Sequence, residues 1–123
     1  AKAELLNIQK KTTEALEVLD FILENHKTDP IIDQTLLVQA QLFETQKEFS
    51  KAAANYIRII TDYKDDILVD DAYFYLAELY RTELLEMDKA KLNYETIIFN
   101  HEDSIHFVEA RKQYRILRGD TIN

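Results

Sequence analysis

The chain has 123 residues, of which 46% are apolar, with one Gly, one Pro, no Cys and a formal net charge of −8. That length suits one compact domain, and so few Gly and Pro favour long helices over many short strands. The composition excludes disulfides and thiolate metal sites; no run of 18 apolar residues could span a membrane, and the acidic balance argues against a general nucleic-acid binder, which needs a basic face to displace counterions.

Apolar residues recur at helical spacing almost everywhere, and no period-two alternation is sustained, so the expected fold class is all-α. Seven helices are predicted, at roughly 1–10, 12–26, 31–46, 49–63, 67–84, 88–101 and 105–118. Ala15, Leu16, Leu19, Ile22 and Leu23 form the stripe of the second; Leu36, Leu37, Ala40 and Phe43 that of the third. Ala52, Ala53, Tyr56, Ile59 and Ile60 form that of the fourth. Longer breaks fall at His26–Asp29, Tyr63–Asp66 and His101–Ser104, where Asp29, Asp66 and Ser104 are expected N-caps and Pro30 an N1 residue. Shorter breaks fall near Thr45–Phe49 and Glu83–Asp88, the second one residue longer. Helices joined by such short turns pack antiparallel.

The breaks follow a repeat. Ala3, Ala40 and Ala77 stand 37 residues apart, each followed three positions later by a large apolar residue, Leu6, Phe43 and Tyr80. Ala15, Ala52 and Ala90 form a second series, followed by Leu19, Tyr56 and Tyr94 and then by Ile22, Ile59 and Ile97. Self-similarity at this period implies stacked helical hairpins, each burying the apolar side of its neighbour. The organisation expected is one domain over 1–123, with repeat units of about 1–26, 31–63 and 67–101 and a final helix at 105–118.

The pattern of Leu36, Gln39, Ala40 and Phe43, then Ala52, Tyr56 and Ile59, resembles the tetratricopeptide repeat family. The next unit gives Tyr73, Leu76, Ala77 and Tyr80, then Ala90, Tyr94 and Ile97. The resemblance implies a right-handed superhelical stack of antiparallel hairpins, a solenoid that binds a peptide or protein partner. The chain departs from the family's pattern in its 37–38-residue period, in Ala for the small Gly, in Lys47 for the loop Gly and in Gln39 where Leu is usual. The longer period is similar to that of bacterial envelope repeat proteins, and the end, Glu109 to Asp120, to the C-terminus of long bacterial (Bacteroidetes-type) multi-repeat proteins. By resemblance alone this points to the cell envelope or periplasm. The first repeat begins part-way through its pattern, so the expectation is a monomeric fragment of a longer chain.

In the family the first helix of each pair lines a concave groove. Carried over position by position, Gln34, Leu37, Gln41, Glu44, Asp71, Phe74, Glu78, Arg81 and Lys112 would line it here, with Phe74 set apart from the core aromatics. Residues 105–123 carry a net +2, which leaves −10 on the other 104 residues. The polar last helix suits a solvating cap, and a purely structural capping segment is the alternative function.

No catalytic pattern emerges. Gly119 is the only Gly, so no phosphate-cradling loop exists, and there is no Gly-x-Ser-x-Gly or His-Glu-x-x-His. Asp103 and His106 have carboxylate–His spacing, but a helical-bundle metalloenzyme needs two such motifs and further inward carboxylates. His101 aligns with Tyr63, which favours a turn-packing role. The expectation is a non-enzymatic protein-binding or scaffold module without metal or cofactor.

Overall fold

Long stretches without Gly or Pro leave every backbone N–H free to close helical turns, and the computed structural model is helical wherever apolar stripes recur. It describes residues 2–25 and 31–119, with side chains from residue 8 onward. The helices are α1 (Lys2–Asn25), α2 (Ile32–Thr45), α3 (Phe49–Asp62), α4 (Val69–Leu79), α5 (Met87–Asn100) and α6 (Phe107–Arg118). A π-helical turn, Tyr80–Leu84, extends α4, and the described residues contain no strand. None of these helices is long and apolar enough to cross a membrane.

The two helices expected over 1–26 are one. α1 runs unbroken for 24 residues through the polar Lys10-Lys11-Thr12-Thr13 stretch. Neither Gly nor Pro interrupts it, and the two threonine hydroxyls bond back to the carbonyls of Ile8 (2.9 Å) and Gln9 (3.0 Å), so their polarity is satisfied inside the helix. His26, Asp29 and Pro30 lie outside the described residues, as do the side chains of Ala3 and Leu6.

The chain divides into two compact units, Ala1–Arg58 and Ile59–Asn123. In the first, α1 and α2 run antiparallel: Asp20 meets Gln39, and Thr13 meets Gln46. α2 and α3 do likewise, Gln39 meeting Asn55 while Phe43 lies beneath the Lys51 ammonium at 5.7 Å. In the second, α5 packs against both α4 and α6. Tyr73 faces His101 across a ring distance of 5.9 Å and Tyr80 lies under Lys89 at 5.6 Å, so α4 and α5 are antiparallel too.

The alanines of the repeat from α2 onward lie in the core. Ala40, Ala52, Ala77 and Ala90 are fully buried, as are Tyr56, Tyr94, Ile59 and Ile97. Tyr80 is buried, Phe43 and Tyr73 are half-buried, and Ala15, Leu19 and Ile22 in α1 are half-buried. Each fully buried large side chain of this kind stabilises the fold by roughly 1.5–3 kcal/mol.

The period is also written in the backbone. The residues preceding α2, α4 and α6 are Ile31, Leu68 and His106, with φ,ψ of −87°,0°, −85°,−1° and −88°,−3°. These are the N-caps, so the expected caps Asp66 and Ser104 are displaced by two residues. Their side chains instead accept from the N–H of the true cap, Leu68 to Asp66 and His106 to Ser104, both at 3.0 Å. An Asx-type turn of this kind satisfies the polar side chain before the helix begins.

The hairpin turns repeat as well. Lys47 and Leu85, 38 apart, both adopt the left-handed conformation, at φ 61° and 55°. In the first hairpin the Glu48 N–H bonds the Phe43 carbonyl at 2.8 Å; in the second the Glu86 N–H bonds Tyr80 at 2.9 Å. The same anchor thus spans one more residue in the second hairpin, and the π turn holds the extra one. That insertion is the drift from 37 to 38.

Candidate functional site

Along α4 and its π turn, Asp71, Phe74, Glu78 and Arg81 follow helical spacing, and the fold ties all four to Tyr94 of α5 or to His106, the residue that caps α6. Glu78 accepts from Arg81 Nη2 at 2.6 Å and from the Tyr94 hydroxyl at 2.6 Å, while Arg81 Nε donates to the same phenol oxygen at 3.1 Å. The carboxylate, guanidinium and phenol form a closed triangle. Glu78 and Arg81 keep 29% and 27% of their side-chain surface exposed, so this triangle is reachable from solvent although its phenol comes from a buried residue.

Burial and the Glu78 carboxylate push the Tyr94 phenol well above its ordinary range, against the opposing Arg81 bond. Burial acts to lower the Arg81 pKa, but hydrogen bonds and charge from Tyr94 and Glu78 outweigh it and hold the guanidinium above its usual value. The triangle therefore stays a fixed ion pair around a neutral phenol.

At the other end of α4, His106 Nε2 donates to Asp71 Oδ1 at 2.6 Å, and its ring stacks on Phe74 at 4.3 Å and 7°. Tyr75 closes edge-on at 5.7 Å. The neighbouring Asp70 accepts from the Ser104 hydroxyl at 2.5 Å. Consecutive carboxylates of α4 thereby hold both polar residues that lead into α6. Phe74, expected to line a concave groove, gives one ring face to His106.

The other expected residues divide between α2 and α6. Gln34 and Gln41 are exposed and Leu37 is half-buried. Glu44, half-buried, accepts the Tyr56 hydroxyl. Lys112 lines a shallow hollow of about 270 Å³ on α6 with Phe107, Val108, Arg111 and Arg115. The triangle's Tyr94 and the ring partner His106 were not among the expected site residues. Tyr94 read as core, which it is, and its hydroxyl partner could not be known without the pairing of α4 with α5. The signal for His106 was its place in the turn aligned with Leu68.

A second concavity lies in the first unit, a cleft of about 490 Å³ lined by residues that include Asp20, Glu24, Gln39, Phe43, Lys51 and Asn55. Gln39, only 2% exposed, donates to Asp20 at 2.5 Å and accepts from Asn55 at 2.6 Å; Asn55 also donates to the Leu36 carbonyl at 3.2 Å. The departure from Leu at this position is thus a polar junction of three helices. The equivalent of Asn55 in the second unit is Asn93, where Leu76 stands in place of Gln39, and its buried amide nitrogen has no hydrogen-bond partner.

Asp103 is exposed and His106 is engaged with Asp71, so the carboxylate–His spacing does not form a pair. Among the described residues no three His, Asp or Glu side chains converge as a metal site. Compared with family models, curated proteins and solved structures, the chain matches none.

Proposed function

We propose that the chain is a non-enzymatic protein-binding module of tetratricopeptide type, its hairpins stacked in a right-handed superhelix, and that the Phe74–Glu78–Arg81 strip is its docking surface. The observation that supports this reading is the Glu78–Arg81–Tyr94 triangle. A carboxylate and a guanidinium held in place by a third side chain have already lost the rotamer freedom that binding otherwise costs, and partner groups can pair with their exposed edges. Arg is also among the residues that most often dominate binding energy at protein interfaces.

The experiment is capture of a partner by the immobilised chain from the cells that encode it, followed by a titration of that partner against Arg81→Gln, which keeps a donor but not the paired charge. Affinity is expected to fall about 30-fold, the scale of a 2 kcal/mol hot spot. Unchanged affinity would remove the strip as the docking surface. A purely structural capping segment is the second reading, favoured by the Phe74–His106 stack, which spends part of the strip on holding α6. On that reading the immobilised chain captures no partner and Phe74→Ala lowers the melting temperature.

A further inference from the structure

Two exposed helix faces carry matching patterns of opposite charge. From residue 14 to residue 25, beyond the exposed Lys10 and Lys11, α1 has four carboxylates and no cation. Glu14, Glu17, Val18, Phe21 and Glu24 follow the spacing of a single helical stripe, and all are exposed, Val18 at 59% and Phe21 at 61%. The opposite side of α1 is the buried one, through Leu16 and Leu23. On α6 the exposed stripe is Val108, Arg111, Lys112 and Arg115, with Val108 at 77%, while Ala110 faces inward and is fully buried. Between 107 and 118 there are four cations and one carboxylate.

Both stripes place large apolar side chains among like charges, a combination that a purely solvating cap does not need. Val108 stands out on an otherwise basic surface, and Phe21 on an otherwise acidic one. The α6 stripe also has shape: the hollow of about 270 Å³ is walled by Phe107 and Val108 and rimmed by Arg111, Lys112 and Arg115.

We propose that the α6 stripe docks the α1 stripe of a second copy of this chain. Phe21 of one copy enters the hollow of the other, and Glu17 and Glu24 meet the rim cations. Charge complementarity selects this occupant. Two α1 stripes paired over residues 14–24, or two α6 stripes, would set like charges face to face, so the contact is heterologous, α1 to α6, and it either closes into a ring or adds further copies.

The test is analytical ultracentrifugation of the whole chain over a concentration series. At about 0.01 M ionic strength, where the screening length is about 30 Å, the mean mass should rise with concentration; at about 1 M, where it is about 3 Å, the rise should disappear. Two charge-reversed chains, Glu14→Lys/Glu17→Lys and Arg111→Glu/Arg115→Glu, should each sediment as monomers at low salt. Their equimolar mixture should regain the mass of the original chain, because each reversed face then finds its opposite. A monomer at every concentration overturns the proposal. So does association that ignores salt or survives in either variant alone, or a mixture of folded variants that stays monomeric. Circular dichroism verifies that the variants are helical, and the salt series on the original chain decides the matter if one is not.

Discussion

Tyr94 is the residue on which the second unit's polar chemistry turns. Its raised pKa, caused first by burial and then by the Glu78 acceptor, means that the fold favours the neutral phenol. That contribution is fully present below the ordinary tyrosine range near pH 10 and is lost as pH climbs from there toward the folded value. Urea unfolding at pH 7 and above pH 10 should show this loss, and Tyr94→Phe should lack it while costing about 1 kcal/mol at pH 7. A variant with the same alkaline decline as the original chain would show that Tyr94 is not its source. Asn55 and Asn93 offer a paired test. Asn55→Leu strands the buried Gln39 and should destabilise by about 1–3 kcal/mol, whereas Asn93→Leu removes an unpartnered donor and should be neutral or stabilising by about 1 kcal/mol. Equal effects at both positions would contradict the accounting of partners. Leu85 is held at φ 55° and is 68% exposed, so Leu85→Gly trades a left-handed strain of about 1–2 kcal/mol against Gly's entropy cost of about 0.5–1. Thermal unfolding should register a small net gain.

Elements follow from these residues, except in α1 and at the helix starts. Helices α2 to α5 were legible because apolar spacing and breaks agreed, and the repeated Ala, Tyr and Ile positions marked core residues. The uninterrupted α1 was not legible, because a Lys-Lys-Thr-Thr stretch reads as a break until its hydroxyls are seen bonding within the helix. Helix starts were misplaced by two residues where Asp66 and Ser104 cap a turn ahead of the helix. The Asp71–His106 and Glu78–Tyr94 contacts join residues 35 and 16 positions apart and needed the tertiary pairing. The π turn gives a test at this scale. It holds one inserted residue behind an unchanged Tyr80–Glu86 anchor. Deleting the exposed Glu83 should convert it to an α-helical turn and leave a cooperative unfolding transition. Loss of that transition would mean the π turn is not a simple insertion.

At the scale of the molecule, the recurring cap geometry at Ile31, Leu68 and His106 and the recurring left-handed turn at Lys47 and Leu85 mark one structural unit used more than once. Charge is spread unevenly over it, with acid along residues 14–24 of α1 and base along α6, so the chain has surfaces of opposite sign that also carry exposed apolar side chains. On the proposed reading such a molecule gains its function from what it holds, and the α4 strip offers side chains fixed by the Glu78–Arg81–Tyr94 triangle. The most direct measurement places a photo-crosslinking residue at Thr82, exposed and one turn beyond Glu78 on the same face, with a control at exposed Glu102. In the cells that encode the chain, the Thr82 probe is predicted to trap a protein partner that the Glu102 probe does not. A Thr82 probe that traps nothing, or traps only what Glu102 traps, would contradict the assignment of this strip as a protein-binding surface.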